Sequence, residues 1–207
     1  MEKTDLVKLY KDYYTAKSNP QVLELPPAQY LSITGIGDPS DAAFIENIQA
    51  LYTTAYAVKF FYKAGGKDFT VSKLEGLWHF DLKKYEGISM DEAPLKIPRS
   101  EWSYRLLIRM PDYVLQSAVE GMLGEIADRK ENPLVKKVEW FTLHEGKCAQ
   151  VLHTGPFSEE PKTLQKLSAF MQEKGLQHNG LHHEIYLSDF RRTAPEKLKT
   201  ILREPVK

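Results

Sequence analysis

Within His182-His183-Glu184-Ile185-Tyr186-Leu187-Ser188, an acid, a phenol and two imidazoles stand close together. If the segment is extended, side chains alternate, so His182, Glu184 and Tyr186 share one face while Ile185 and Leu187 take the other. The same rule groups Gly76, Trp78 and Phe80 in one segment, and Trp102, Tyr104, Leu106 and Ile108 in another. Gly76 beside Trp78 leaves room for something to approach the backbone. A carboxylate at position 184 among such rings would have two chemical uses. It would attract a flat cation through Coulomb and cation–π terms, about 0.5–2 kcal/mol per ring contact. Alternatively, apolar surroundings would raise its pKa and suit it to take a proton from water. Alternation alone also leaves open a plainer arrangement, with Glu184 and Tyr186 facing solvent and both tryptophans filling core.

Other chemistries fail on spacing. His182-His183-Glu184 is not the i, i+4 histidine pair of a helical zinc site, so no metal is expected. A single cysteine, Cys148, excludes an intramolecular disulfide framework and any multi-cysteine metal site, and reads as a small buried hydrophobe. Gly35-x-Gly37 lacks the third glycine of a dinucleotide fingerprint, and no cofactor is expected. His144, His153 and His178 fall at the ends of strands or loops, where structural or exposed roles are expected.

The elements that must position these groups follow from periodicity. Ala28 to Ile36 reads as a strand, and Ser40 or Asp41 caps a long helix with the stripe Phe44, Ile48, Leu51, Ala55, Val58 and Tyr62, ended by Gly65-Gly66. Strands are expected over 71–82 and 102–110. A helix follows over 114–129, with Leu115, Ala118, Val119, Met122 and Ile126 inward. Residues 138–143 and 147–153 predict a hairpin around His144-Glu145-Gly146. A helix over 159–174 and a strand over 182–188 come next. Thr193-Ala194-Pro195-Glu196 has capping-box spacing, which predicts a last helix with Leu198, Ile201 and Leu202 inward.

This order repeats. Thr34-Gly35 and Thr154-Gly155 lie 120 residues apart, each after a strand and before a Pro/Ser turn and a helix, and the later strands end in Asp81 and Asp189. The expected fold is α+β: two pseudo-twofold-related strand-helix-strand-strand modules, about 28–110 and 111–207, with a ligand cleft between them. Residues 1–27 read as an N-terminal leader containing a short helix near Leu6, Leu9, Tyr10 and Tyr13. Twenty-eight basic residues balance 28 acidic ones, so no charge surplus draws the chain to nucleic acid or anionic lipid. Arg191-Arg192 and Lys136-Lys137 read as solvated surface. With no apolar run of membrane-spanning length and no signal-peptide pattern, a cytoplasmic protein is expected, monomeric or homodimeric.

Three stretches carry a family resemblance. Glu75-Gly76-Leu77-Trp78, Trp102-x-Tyr104-x-Leu106-x-Ile108-Arg109 before Pro111, and the run from His182 to Asp189 with Arg191-Arg192 resemble the GyrI-like small-molecule-binding family. The likeness runs from about Ala28 to Val206 and is nearest to the stand-alone branch, which includes cyclopropanoid cyclopropyl hydrolases. It implies two modules about a pseudo-dyad and a central acid in the cleft, which maps onto Glu184. Related domains are drug sensors in transcription activators, where the glutamate meets lipophilic cations. Two departures stand out: His79 follows Trp78 where a second aromatic is frequent, and Phe190 replaces the proline of an Asp-Pro-Arg-Arg run.

On that basis the expected function is hydrolysis of a strained, planar, lipophilic small molecule. Glu184 would act as general base, Tyr186 or Tyr104 would hydrogen-bond the developing phenolate, and Trp78 and Trp102 would sandwich the substrate. Phe80, His182 and Gly76 would complete the cleft. The alternative is a non-catalytic binder or sensor of lipophilic, cationic compounds. A protein-interaction role has no marked interface, and the residues preceding the first module are too few for a helix-turn-helix domain.

Overall fold

Gly76 and Glu184 face each other across two neighbouring antiparallel strands, and the rest of the molecule is arranged around that pair. The computed structural model describes residues 3–89 and 92–207. Two one-turn helices, α1 (Leu6–Leu9) and α2 (Lys11–Tyr14), precede β1 (Gln21–Leu25) and β2 (Ala28–Ile36). There follow α3 (Ala42–Ala64), β3 (Leu74–His79), the one-turn α4 (Ala93–Lys96), β4 (Ser103–Arg109), α5 (Gln116–Arg129) and β5 (Glu139–Leu143). The chain ends with β6 (Gly146–Thr154), α6 (Glu160–Glu173), β7 (His182–Tyr186) and β8 (Lys199–Pro205). Among the described residues no helix is long and apolar enough to cross a membrane.

Among the described residues, eight strands form one curled antiparallel sheet in the order β1-β6-β8-β7-β3-β4-β2-β5. Read outward from the central β7/β3 pair, each side repeats the other, which is the expected pseudo-twofold α+β architecture. Alternation sends Leu74, Gly76 and Trp78 to one face of β3 and Glu75 and Leu77 to the other. The first face is covered by helices. Along α3 the predicted stripe is inward, with Leu51, Ala55 and Val58 fully buried; burial of a Leu or Val side chain of this kind stabilises by about 1.5–3 kcal/mol. Gly66, at φ 86°, lets the chain leave that helix through the left-handed region. Leu164, Leu167 and Met171 of α6 pack on Ala149, Val151 and Leu202.

The second face is covered by the N-terminal segment. Residues 1–27 read as a leader in the sequence; of these, residues 3–27 lie within the described structure and are built into it. Leu6, Tyr13 and Tyr14 pack with Leu77, Leu107, Ile185 and Ile201, and β1 adds to the sheet beside β6.

Two expectations are corrected. β5 and β6 have nearly the predicted bounds but do not form a hairpin: β5 pairs with β2, and β6 pairs with β1 and β8. The intervening Glu145 turns under the sheet, where its carboxylate meets His183 and Arg203, instead of tipping a solvent-facing turn. The predicted last helix is a single 3-10 turn at Pro195–Lys197 followed by β8. Leu198, Ile201 and Leu202 fit helical spacing, but a strand flanked on both sides and buried on both faces also loses clean alternation.

Candidate functional site

The pseudo-dyad passes between Gly76 and Glu184, and the groove between α3 and α6 lies above it. A cavity of about 290 Å³ opens there. Its walls come in related pairs: Phe44 and Leu164 from the two helices, Ser40 and Glu160 from the helix starts, Trp78 and Tyr186 from the central strands. Trp102, Phe157 and Phe190 complete an aromatic rim. Phe157 stands edge-on to Tyr186 at 6.0 Å and to Phe190 at 6.1 Å, while Trp78 meets Trp102 edge-on at 6.0 Å.

Of the sequence-expected site residues, Glu184, Tyr186, His182, Trp78 and Trp102 line this cavity together. Tyr104, Phe80 and Gly76 stand behind the wall. The Tyr104 ring fills the space left by Gly35, and its hydroxyl accepts a hydrogen bond from Asn47 Nδ2 at 3.0 Å. Tyr104 is thereby turned from a substrate contact into a support for Trp78. Phe80 is buried against Tyr85 and Trp102. His79 points away from the cavity and is exposed, whereas Phe190 forms part of the rim.

Gly76 acts through what it lacks. A Cβ there would come within 2.9 Å of Trp78 Nε1 and 3.1 Å of the Tyr186 hydroxyl. Those two groups are bonded to each other: Trp78 Nε1 donates to the Tyr186 oxygen at 3.1 Å, and Tyr186 donates to Glu184 Oε2 at 2.7 Å. Burial, then the adjacent Glu184, pushes the Tyr186 phenol well above its ordinary pKa, so it stays a donor. Gly76→Ala should therefore break the Trp78–Tyr186 contact, cost about 1–3 kcal/mol by overpacking, and weaken ligand binding; an unchanged melting temperature with unchanged binding would show the space to be slack.

The other oxygen of Glu184 faces a buried row of titratable groups. His182 Nε2 is 3.4 Å from Glu184 Oε1, His182 Nδ1 is 2.6 Å from Glu204 Oε1, and Glu204 Oε2 is 3.3 Å from Nδ1 of the exposed His178. Burial alone would lower the His182 pKa, but Glu204 and Glu184 outweigh it and raise it to about 10. Burial likewise opposes ionisation of Glu204, yet His182 and His178 hold it at about 2. A histidine whose folded pKa is raised contributes stability that is full below its unfolded value, near 6.5, and lost as pH climbs through about 10. Thermal unfolding should accordingly show stability falling across that window. His183 shifts in the same direction, so His182→Gln should flatten the slope without abolishing it, and an unaltered slope would count against the buried imidazolium.

Glu160, Phe44, Phe157 and Phe190 are lining residues absent from the sequence-expected set. A second hollow, of about 710 Å³, shares Tyr186 and Phe190 as walls and is also lined by Tyr52 and Tyr56 of α3; Phe61 lies in a depression between α3 and α5. Cys148 is buried, and burial pushes its thiol up to about 12, which removes it from nucleophilic chemistry. Among the described residues, no group of three or more His, Cys, Asp or Glu is placed to hold a metal ion.

An aromatic-walled hollow at the dyad of two strand-helix-strand-strand halves defines a small-molecule-binding class of fold. A model of the GyrI-like small molecule binding domain matches residues 109–207, which hold Glu160, His182, Glu184 and Tyr186. The C-terminal part of the chain thus carries a GyrI-like small molecule binding domain. It is 34% identical to an uncharacterized conserved protein from Listeria innocua, with a TM-score of 0.87 over 99% of this chain and 100% of that one. A hydrolase from Listeria innocua is 33% identical, with a TM-score of 0.84 over 99% of this chain and 100% of that one. The C-terminal domain of EcmrR shares the fold at 11% identity, with a TM-score of 0.60 over 91% of this chain and 97% of that one. No curated protein matches the sequence.

Proposed function

We propose that the cavity binds planar, lipophilic small molecules and hydrolyses those carrying a strained cyclopropane conjugated to a dienone. The observation that carries this reading is the Trp78–Tyr186–Glu184 chain at the floor of an aromatic cavity. It offers a flat ring its faces and offers a reacting centre one carboxylate with a fixed direction. Glu184 takes a proton from water as the water oxygen bonds to the cyclopropane methylene. The bond from that methylene to the ring carbon breaks, and its electron pair passes through the ring to the carbonyl oxygen, which becomes a phenol on protonation. Tyr186 holds Glu184 in place and lies near enough to support the base rather than the leaving oxygen. A strained ring needs little covalent assistance, so one oriented base and one bound water account for the chemistry. Similarity over the whole chain to a Listeria innocua hydrolase supports the catalytic form.

Binding without conversion is the second reading, favoured by the carboxyl groups of Glu160 and Glu184 on the cavity wall, which suit a counter-ion site. One experiment separates the two. Purified protein is incubated with a spirocyclopropyl dienone and with planar cations, and the mixtures are analysed by mass spectrometry. Gain of one water by the dienone, faster than in buffer, supports hydrolysis. Recovery of every compound unchanged, with saturable binding, leaves the binder.

A further inference from the structure

Glu160 is the first residue of α6, and its side chain lines the cavity while being only 8% exposed. Its Oε1 has no hydrogen-bond partner. Thr200 of β8 adjoins the carboxyl group and favours its charged form. The charges that face it are Glu184 and His182 from β7. Tyr186 lies beside them, and Arg99, before β4, stands at the mouth with a side chain 57% exposed and 4.0 Å from Asp38. Glu159, its neighbour in the chain, points out to Lys162.

The imidazolium of His182 is already committed to Glu204 at 2.6 Å, so Glu160 has no cation of its own. An isolated buried carboxylate is costly, and such a group keeps its proton instead. Burial first, then Glu184, raises the Glu160 pKa well above that of an ordinary carboxyl. The His182 imidazolium and the Glu204 carboxylate offset each other, and Glu160 holds one stored proton in the empty cavity.

We propose that Glu160 gives up this proton to solvent when a cationic ligand enters, so that the cavity exchanges a proton for a planar monocation and takes up neutral molecules without exchange. The proposal rests on the reading of this cavity as the ligand site. The exchange balances: the carboxyl O–H breaks, its proton passes to buffer, and the carboxylate left behind pairs with the incoming charge. The sign follows from linkage. A bound cation lowers the Glu160 pKa, so protons leave on binding and cation affinity rises with pH between the bound and free values. Neutral ligands show no such rise.

The test uses N-methylphenanthridinium, which has no proton to lose, and phenanthrene, its neutral counterpart in shape. Calorimetry of the full chain in buffers of different ionisation enthalpy counts the protons released. The wild type should release between about one half and one proton per bound N-methylphenanthridinium, with affinity rising by up to about tenfold per pH unit. Phenanthrene should release none. Glu160→Gln, which keeps the shape of a protonated carboxyl, should lose both the release and the pH dependence for the cation. Cation binding without proton release in the wild type overturns the proposal. So does release that survives in Glu160→Gln. If phenanthrene binds while the cation behaves in either of those ways, the ligand cavity stands and the exchange alone falls; if neither probe binds, both fall.

Discussion

Glu184→Gln should slow ring opening of a spirocyclopropyl dienone by at least about 10²-fold, with little change in binding of the intact compound. Glutamine keeps the length and the hydrogen-bonding oxygen, so Tyr186 retains an acceptor and the aromatic walls stay in place. What disappears is the capacity to take a proton from water. The expected signature is therefore a loss in kcat at nearly constant KM, since an interaction made only while the proton moves has been removed. Tyr186→Phe makes the companion measurement. It removes the 2.7 Å bond that aims Glu184 and leaves Trp78 Nε1 without its acceptor, so a smaller loss, on the order of 10-fold, is expected from misorientation. If the Gln variant opened the ring at the wild-type rate, Glu184 would be no base, and the cavity would act by binding alone.

The second large effect lies on the opposite face of the sheet, away from the cavity. Arg203 of β8 is fully buried. Its guanidinium donates to Glu145 Oε2 at 3.2 Å, to Gln150 Oε1 at 2.9 and 3.0 Å and to the Tyr13 carbonyl at 2.7 Å, and it lies 4.3 Å from the Tyr13 ring centre. His183 sits between Glu145 at 2.9 Å and Glu75 at 3.0 Å. Burial works against a charged Glu145, but His183 and Arg203 prevail and hold its pKa at about 2. Arg203→Met would leave that carboxylate half-compensated in the interior and release the N-terminal segment from its anchor. Breaking a buried pair from one side costs about 3–5 kcal/mol, which for a chain of this size lowers the melting temperature by roughly 6–20 °C. Adding Glu145→Gln should restore part of the loss, because the orphaned charge goes with it. A melting temperature within a degree or two of wild type would show the cluster to be well hydrated instead of buried.

Much of this site was readable because strand alternation is a rigid rule. His182, Glu184 and Tyr186 on one face, and Gly76 with Trp78 on another, follow from a side-chain period of two, and the cavity brings these faces together. What alternation leaves out is depth. Tyr104 and Phe80 point to the correct side of the sheet, yet Gly35 and Tyr85 decide that they back the wall instead of forming it. Glu160 went unseen although the repeat contained a hint: Ser40 and Glu160 are 120 residues apart, as are Thr34 and Thr154, so both helix starts meet the same cleft. Strand pairing was the least legible level. Local pattern marks β5 and β6 as extended, but β5 finds β2, and β6 finds β1, through residues more than 100 positions away, in pairs such as Gln29 with Thr142 and Leu23 with Cys148. The last strand was hidden for a related reason, because a segment buried on both faces shows apolar residues at spacings that suit a helix equally well.

The exchange of edge strands has a consequence for how the molecule holds together. Gln21–Leu25 leaves its own half to lie along Gly146–Thr154, and Glu139–Leu143 leaves the other half to lie along Ala28–Ile36. A cut near residue 111 would thus deprive each fragment of an outer ribbon and bare a row of backbone amides on both. Fragments made that way are expected to be sticky and poorly soluble apart, and to regain order only when mixed.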